Sequence, residues 1–314
     1  MQAMLRRYGY SLSGLTVLLT AFWLLMLVIL PYLNLFKESF RPYLIAKDIG
    51  GSKDVFTFDN YLSILHEPTW TPHEIFGFQF FTPMTIHLQV FLATIAFSCF
   101  ATFVAIVACY PMAFYMAKVL PPKRLSTYLM ILIIPLWVSE LMRAFAWFIL
   151  LTYKGPLTVI LMDIGVLSDG VRWTWYLWGY SGVVVTLVYV YVLFMLFPIY
   201  NSMTSLDMNQ VEAARDLGSP SWRTHWRVVL PHCKPGIASG SVMVFMLSAG
   251  SLLVPGYLDS PSSQWFTEVI YARMFDQNDW NGGAAYAFLM VFACMIFVTI
   301  AMRVFRVGLS DIAK

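Results

Sequence analysis

Two ionisable side chains stand inside one long apolar stretch: Glu140 and Arg143, three residues apart. At that spacing they can meet on one helix face. Each would then offset the roughly 2.5–3.5 kcal/mol that a lone charge costs at membrane depth. The pair reads equally well as an internal ion pair turned toward a helix bundle and as a polar patch on a translocation path. On the second reading Glu140 meets a cationic amine, and Trp137 and Trp147 add cation–π contacts. Tyr189 and Tyr191 point to different faces of one helix, so either one of them lines such a path or both pack.

Nothing else in the chain is spaced for catalysis. There is no Gly-x-x-x-x-Gly-Lys followed by Ser or Thr to cradle a phosphate, and no Gly-x-Ser-x-Gly nucleophile turn. His66-Glu67 and His73-Glu74 open a His-Glu-x-x-His pattern that neither completes. The histidines His66, His73, His87, His225 and His232 show no metal-ligand spacing on one face. No catalytic residue, no metal and no cofactor are expected in this chain.

The elements that must position these residues are membrane spans. Of 314 residues, 59% are hydrophobic and 12% charged, and mean hydropathy is +0.69. Soluble domains carry roughly 25% charge. One core of this size cannot hide that much apolar surface, so lipid must be the solvent. The composition excludes a disordered chain, a disulfide scaffold and a nucleic-acid-binding domain. Six apolar runs are each about 20 residues or longer. They lie near 12–36, 84–117, 126–151, 177–200, 237–257 and 283–304. The first follows Arg6 and Arg7 but is long and lacks a small-x-small cleavage site, so it reads as a span.

Orientation follows from the loop cations. Twelve of the twenty Lys and Arg fall on the side of the two termini, among them Arg6, Lys118, Lys123, Arg215, Arg223, Arg227, Lys234 and Lys314. Seven fall on the other side, from Lys37 and Arg41 to Arg273. The positive-inside rule therefore puts both termini, and the segment 201–236, in the cytoplasm. The four cysteines avoid the outer loops. Trp173, Trp175, Tyr176, Trp178 and Tyr180 read as an interfacial aromatic belt. Small residues in Gly236-Ile-Ala-Ser-Gly240 and Ser248-Ala-Gly-Ser251 predict a central fifth span packed closely on its neighbours.

The segment 205–231 reads as helix-turn-helix. Asp207 or Asn209 can cap a short helix, and Glu212, Ala213, Ala214 and Arg215 propagate it as far as Asp216. Gly218 supplies a left-handed stop, and Pro220 permits a new helix start. Trp222 and Trp226 share one face, and Pro231 is expected to end the second helix. Such a helix suits either docking in a partner's groove or lying on the lipid surface.

Glu212-Ala213-Ala214, three residues, Gly218, nine residues, then Val228-Val229-Leu230-Pro231 resembles the EAA loop of ABC importer permeases. The resemblance implies a type I importer permease fold, all-α, with six transmembrane helices filling 12–304. It also implies an outer loop near 37–83, a coupling loop near 201–236, and cytoplasmic ends at 1–11 and 305–314. It gives Asp207, Glu212, Ala213, Ala214, Arg215, Asp216, Gly218, Leu230 and Pro231 the task of coupling to an ATPase. Ile134-Pro-Leu-Trp137, Leu141-Met-Arg143-Ala-Phe-Ala-Trp147 and Asn278-Asp-Trp280-Asn-Gly-Gly-Ala-Ala285 are similar to the spermidine/putrescine-type inner-membrane permeases. That branch implies two ATPase subunits that bind ATP and magnesium, a second homologous permease, and an extracytoplasmic solute-binding protein. The chain departs from the branch at Val254-Pro-Gly-Tyr-Leu-Asp-Ser-Pro261, which leaves other small cationic or amino-containing solutes open. A stand-alone secondary transporter or channel would favour several intramembrane carboxylates, and Glu140 is the single one.

Overall fold

The computed structural model describes residues 14–44, 51, 54–65, 69–75, 78–152, 155–165, 180–258 and 264–308, with the backbone alone for 69–75 and 78–84. In chain order these form α1 (Gly14–Ser39), α2 (Asp59–Leu62), β1 (Thr69–Ile75), β2 (Phe78–Met84) and α3 (Ile86–Val119). There follow α4 (Pro122–Trp137), α5 (Glu140–Leu151), α6 (Pro156–Asp163), α7 (Ser181–Thr204) and α8 (Met208–Asp216). Helix α9 (221–249) joins Ser221–Thr224, His225–Val229 and Leu230–Ala249 without a break. Then come α10 (Leu253–Leu258), α11 (266–276) and α12 (Trp280–Phe305). The chain ends, Trp173, Trp175, Tyr176, Trp178 and residues 259–261 lie outside the described residues. The membrane part is all helical. The expected outer loop adds a two-stranded antiparallel ribbon pairing Thr69 with Met84 through Ile75 with Phe78.

Among the described residues, five stretches are long and apolar enough to cross a membrane: α1, α3, Glu140–Asp163, α7 and α12. The remaining expected span corresponds to α9, which starts well before residue 237 and stops at Ala249. It carries His232, Lys234 and two prolines, so its composition is less apolar than that of the others.

The chain divides into two compact units. In the unit formed by 1–66 and 270–290, Asn60 Nδ2 donates to the carbonyls of Ser39 (3.0 Å) and Arg41 (2.7 Å). Asp279 Oδ1 accepts from Gly282 N at 2.8 Å and so caps the start of α12. Arg273 faces Asp279 at 3.7 Å and lies 4.1 Å from the ring centroid of Tyr286.

In the unit formed by 67–269 and 291–314, α7 is the centre. Of its most apolar window 61% is buried, and Leu187, Met195, Leu196, Ile199 and Met203 are fully enclosed. α9 and α3 pack against it. The α9 contact depends on absent side chains. A methyl at Gly236 would strike the Pro198 carbonyl and Ser202 Cβ, and one at Gly240 would sit 2.8 Å from Met195 Sδ. The predicted close approach of the fifth span is thus built on Gly236 and Gly240.

Two expectations fail for local reasons. The third span was expected to be continuous from 126 to 151, yet the helix breaks at Val138–Ser139. Pro135 removes one backbone donor, Val138 turns extended (ψ 132), and Ser139 restarts the helix by accepting from Met142 N at 3.3 Å. Pro231 was expected to end a helix, but α9 runs through it. A wide turn over His225–Val229, closed by Leu230 N to His225 O, precedes the proline and eases the clash its ring would otherwise cause. The same offset recurs in α1, where Pro31 follows a wide turn over Leu25–Ile29.

Candidate functional site

The loop helix α8 is fixed at both ends by its own sequence. Asp207 is extended (ψ 123), and its Oδ1 accepts from Asn209 N at 3.0 Å, so Asp207 rather than Asn209 is the cap. At the other end Gly218 takes φ +76. Gly218 N donates to Arg215 O at 2.8 Å and Ser219 N to Ala214 O at 3.0 Å, a Schellman closure. Between these stops a single anchor, Val211, is 1% exposed. Glu212, Ala213, Arg215, Asp216 and Gly218 are all exposed, and Ala214 is half-buried. Leu217, which the sequence reading passed over, is 88% exposed. Leu217, Ala213 and the Glu212 carboxylate are thus all exposed on this segment.

The base of the loop is fastened to the bundle. Lys118 Nζ donates to Leu206 O at 2.5 Å and to Thr204 O at 3.4 Å, which places a cation on the carbonyl end of α7. Ser205 Oγ and His232 Nε2 are 3.0 Å apart across the loop's two ends. His225 packs edge-on against Phe114 with centroids 4.6 Å apart, and its Nδ1 shares a hydrogen bond with Tyr110 OH at 3.0 Å. Burial, and after it the Arg215 charge, hold the His225 pKa below the ordinary 6.5. Leu230 is half-buried and Pro231 exposed, both on α9 behind this contact.

The second feature is a cavity of about 420 Å³ at the break between α4 and α5. Pro135, Val138, Arg143, Trp147 and Tyr189 line it, and the Trp147 and Tyr189 rings lie 5.3 Å apart. Three of the five predicted path residues, Arg143, Trp147 and Tyr189, therefore come together. The other two do not join them in the lining. Trp137 is 88% exposed, and Glu140 lies at the start of α5. Glu140 and Arg143 do not pair with each other, which was one of the two arrangements their spacing allowed. Tyr191 OH donates to Glu140 Oε1 at 2.7 Å, and Arg143 Nη1 donates to Val190 O at 2.8 Å. Both side chains bond across the interface to consecutive residues of α7, toward which the helix restart at Ser139 turns them. The Arg143 Nε is buried without a partner. Of the two tyrosines that the sequence left open between lining and packing, Tyr189 lines the cavity and Tyr191 holds Glu140.

Residues 109–309 match the family described as "Binding-protein-dependent transport system inner membrane component". The chain belongs to that family. This permease is 31% identical over 294 residues to the spermidine/putrescine transport system permease protein PotB of Salmonella typhimurium, covering 93% of this chain and 94% of the relative. It is 30% identical over 284 residues to PotB of Escherichia coli, covering 90% and 94%. Its fold matches a bacterial alginate ABC transporter solved with an alginate pentasaccharide-bound periplasmic protein, at TM-score 0.68 and 16% identity over 98% of this chain and 99% of the other. A second structure, a bacterial ABC transporter involved in alginate import, matches at TM-score 0.65 and 16% identity, covering 97% of each chain. The permease is a multi-pass inner-membrane protein of the ABC permease, spermidine/putrescine type, with a type I importer permease fold.

Proposed function

We propose that this permease forms part of the translocation path of an ATP-driven importer for a polyamine or a similar small cationic or amino-containing solute. It carries no chemistry of its own. Two separate ATPase subunits hydrolyse ATP and engage α8, a second homologous permease completes the path, and an extracytoplasmic binding protein delivers the solute. Six spans with both termini in the cytoplasm put α8 on the ATPase side. ATP-driven closure then draws the loop helices together and switches the path between its inward and outward openings.

The observation that carries this reading is α8 itself, a helix capped at both ends and presenting Glu212, Ala213 and Leu217 outward. The 31% identity to a spermidine/putrescine permease over 93% of this chain supports a polyamine-type solute. The test is purification of the tagged permease in mild detergent. Wild type should bring down an ATPase subunit and a second permease. Ala213→Arg, which crowds the exposed face of α8, should lose the ATPase and keep the second permease. Equal ATPase recovery with the variant would remove α8 from the interface.

A further inference from the structure

Helix α9 continues directly from the loop, so loop motion reaches it through the backbone. Helix α3 has no such link to the loop and can follow only through side chains. Tyr110, Phe114 and Lys118 touch the loop from α3, spaced four apart on one stripe of the helix. Lys118 grips the start of the loop at Leu206 and Thr204, and Tyr110 and Phe114 hold its end at His225. The loop is therefore pinned to one edge of α3 on both sides of α8.

We infer that the Tyr110–His225 contact, backed by Phe114 and Lys118, is the latch through which movement of α8 is passed to α3. This rests on the reading of α8 as the ATPase-coupling helix. Tyr110 and His225 are positioning residues; neither touches solute or nucleotide. The groups facing His225 are Tyr110 and Phe114 from α3 and Arg215 from α8, with Cys233 of α9 near Tyr110. Once His225 is protonated both ring nitrogens donate, so Tyr110 OH can only accept from Nδ1, and a second cation stands beside Arg215. The latch is therefore firm at neutral pH and loosens as pH falls below the ordinary histidine value.

The test uses the assembled transporter with a spin label at Ile86→Cys, the exposed residue at the far end of α3, after the native cysteines are replaced. Label environment is compared with and without ATP plus vanadate, alongside ATP hydrolysis. Wild type should show an ATP-dependent shift that shrinks on acidification. Tyr110→Phe and His225→Ala should hydrolyse ATP normally while the ratio of the two label environments falls about fivefold, equivalent to about 1 kcal/mol. His225→Asn, which keeps an acceptor near the Nδ1 position, should retain the shift and lose its pH dependence. A wild-type shift in Tyr110→Phe and His225→Ala overturns the latch alone. So does a fall in assembly, hydrolysis and shift together that His225→Asn fails to rescue. A wild-type complex without an ATPase overturns the coupling reading and the latch with it.

Discussion

Gly218 is left-handed with nothing within 4 Å of where a Cβ would stand, so the demand on it is conformational and not spatial. An ordinary residue there costs roughly 1–2 kcal/mol, and Asn much less. Transport by Gly218→Val should fall at unchanged membrane level, and Gly218→Asn should recover most of it. If both behave like wild type, the helix stop is immaterial to function. Glu140→Gln keeps an oxygen for Tyr191 OH and removes the charge. It should lower uptake of a cationic solute with no loss of membrane yield. A loss of yield alone would make Glu140 purely structural. The stop at Gly218 and the cap at Asp207 were legible because each follows from a few consecutive residues. The partners of Glu140, Arg143 and His225 were not, since they lie 51, 47 and 115 positions away on other helices. Spacing within one helix suggested an ion pair, and the break at Ser139 turned both side chains to α7 instead.

At the scale of elements, the α7–α9 contact depends on Gly236 more than on Gly240. The Cβ of the first would meet backbone, and that of the second would first meet the flexible end of Met195. Gly236→Val should cost about 1–3 kcal/mol by overpacking and appear as a lower melting temperature and reduced yield. Gly240→Ala should be milder. Equal effects would mean that Met195 cannot yield. The closeness of this contact was legible in the small-residue spacing. The break in the third span was not, because apolar composition runs unbroken through Val138 and masks what Pro135 and the Ser139 cap do to the backbone. The through-running Pro231 was misjudged for a related reason, since a wide turn before a proline leaves no mark in composition.

For the whole molecule, composition alone placed the chain in lipid. Hydropathy identified α1, α3, α7 and α12, the buried α7 included, and was weakest for α9, which packs on α7 and α3 and carries Lys234 and His232. On the proposed reading, the residues that face other subunits are marked in sequence only where a partner constrains a local pattern, as along 207–218. The claim that joins these scales is that ATP hydrolysed on another chain moves solute through this one. The most direct measurement is uptake of labelled putrescine into proteoliposomes holding the purified complex, its binding protein outside and nucleotide inside. Uptake with ATP, none with ADP, and reduced uptake with Gly218→Val is the expected result. Uptake by the permease alone, driven by an ion gradient and indifferent to ATP, would contradict the account.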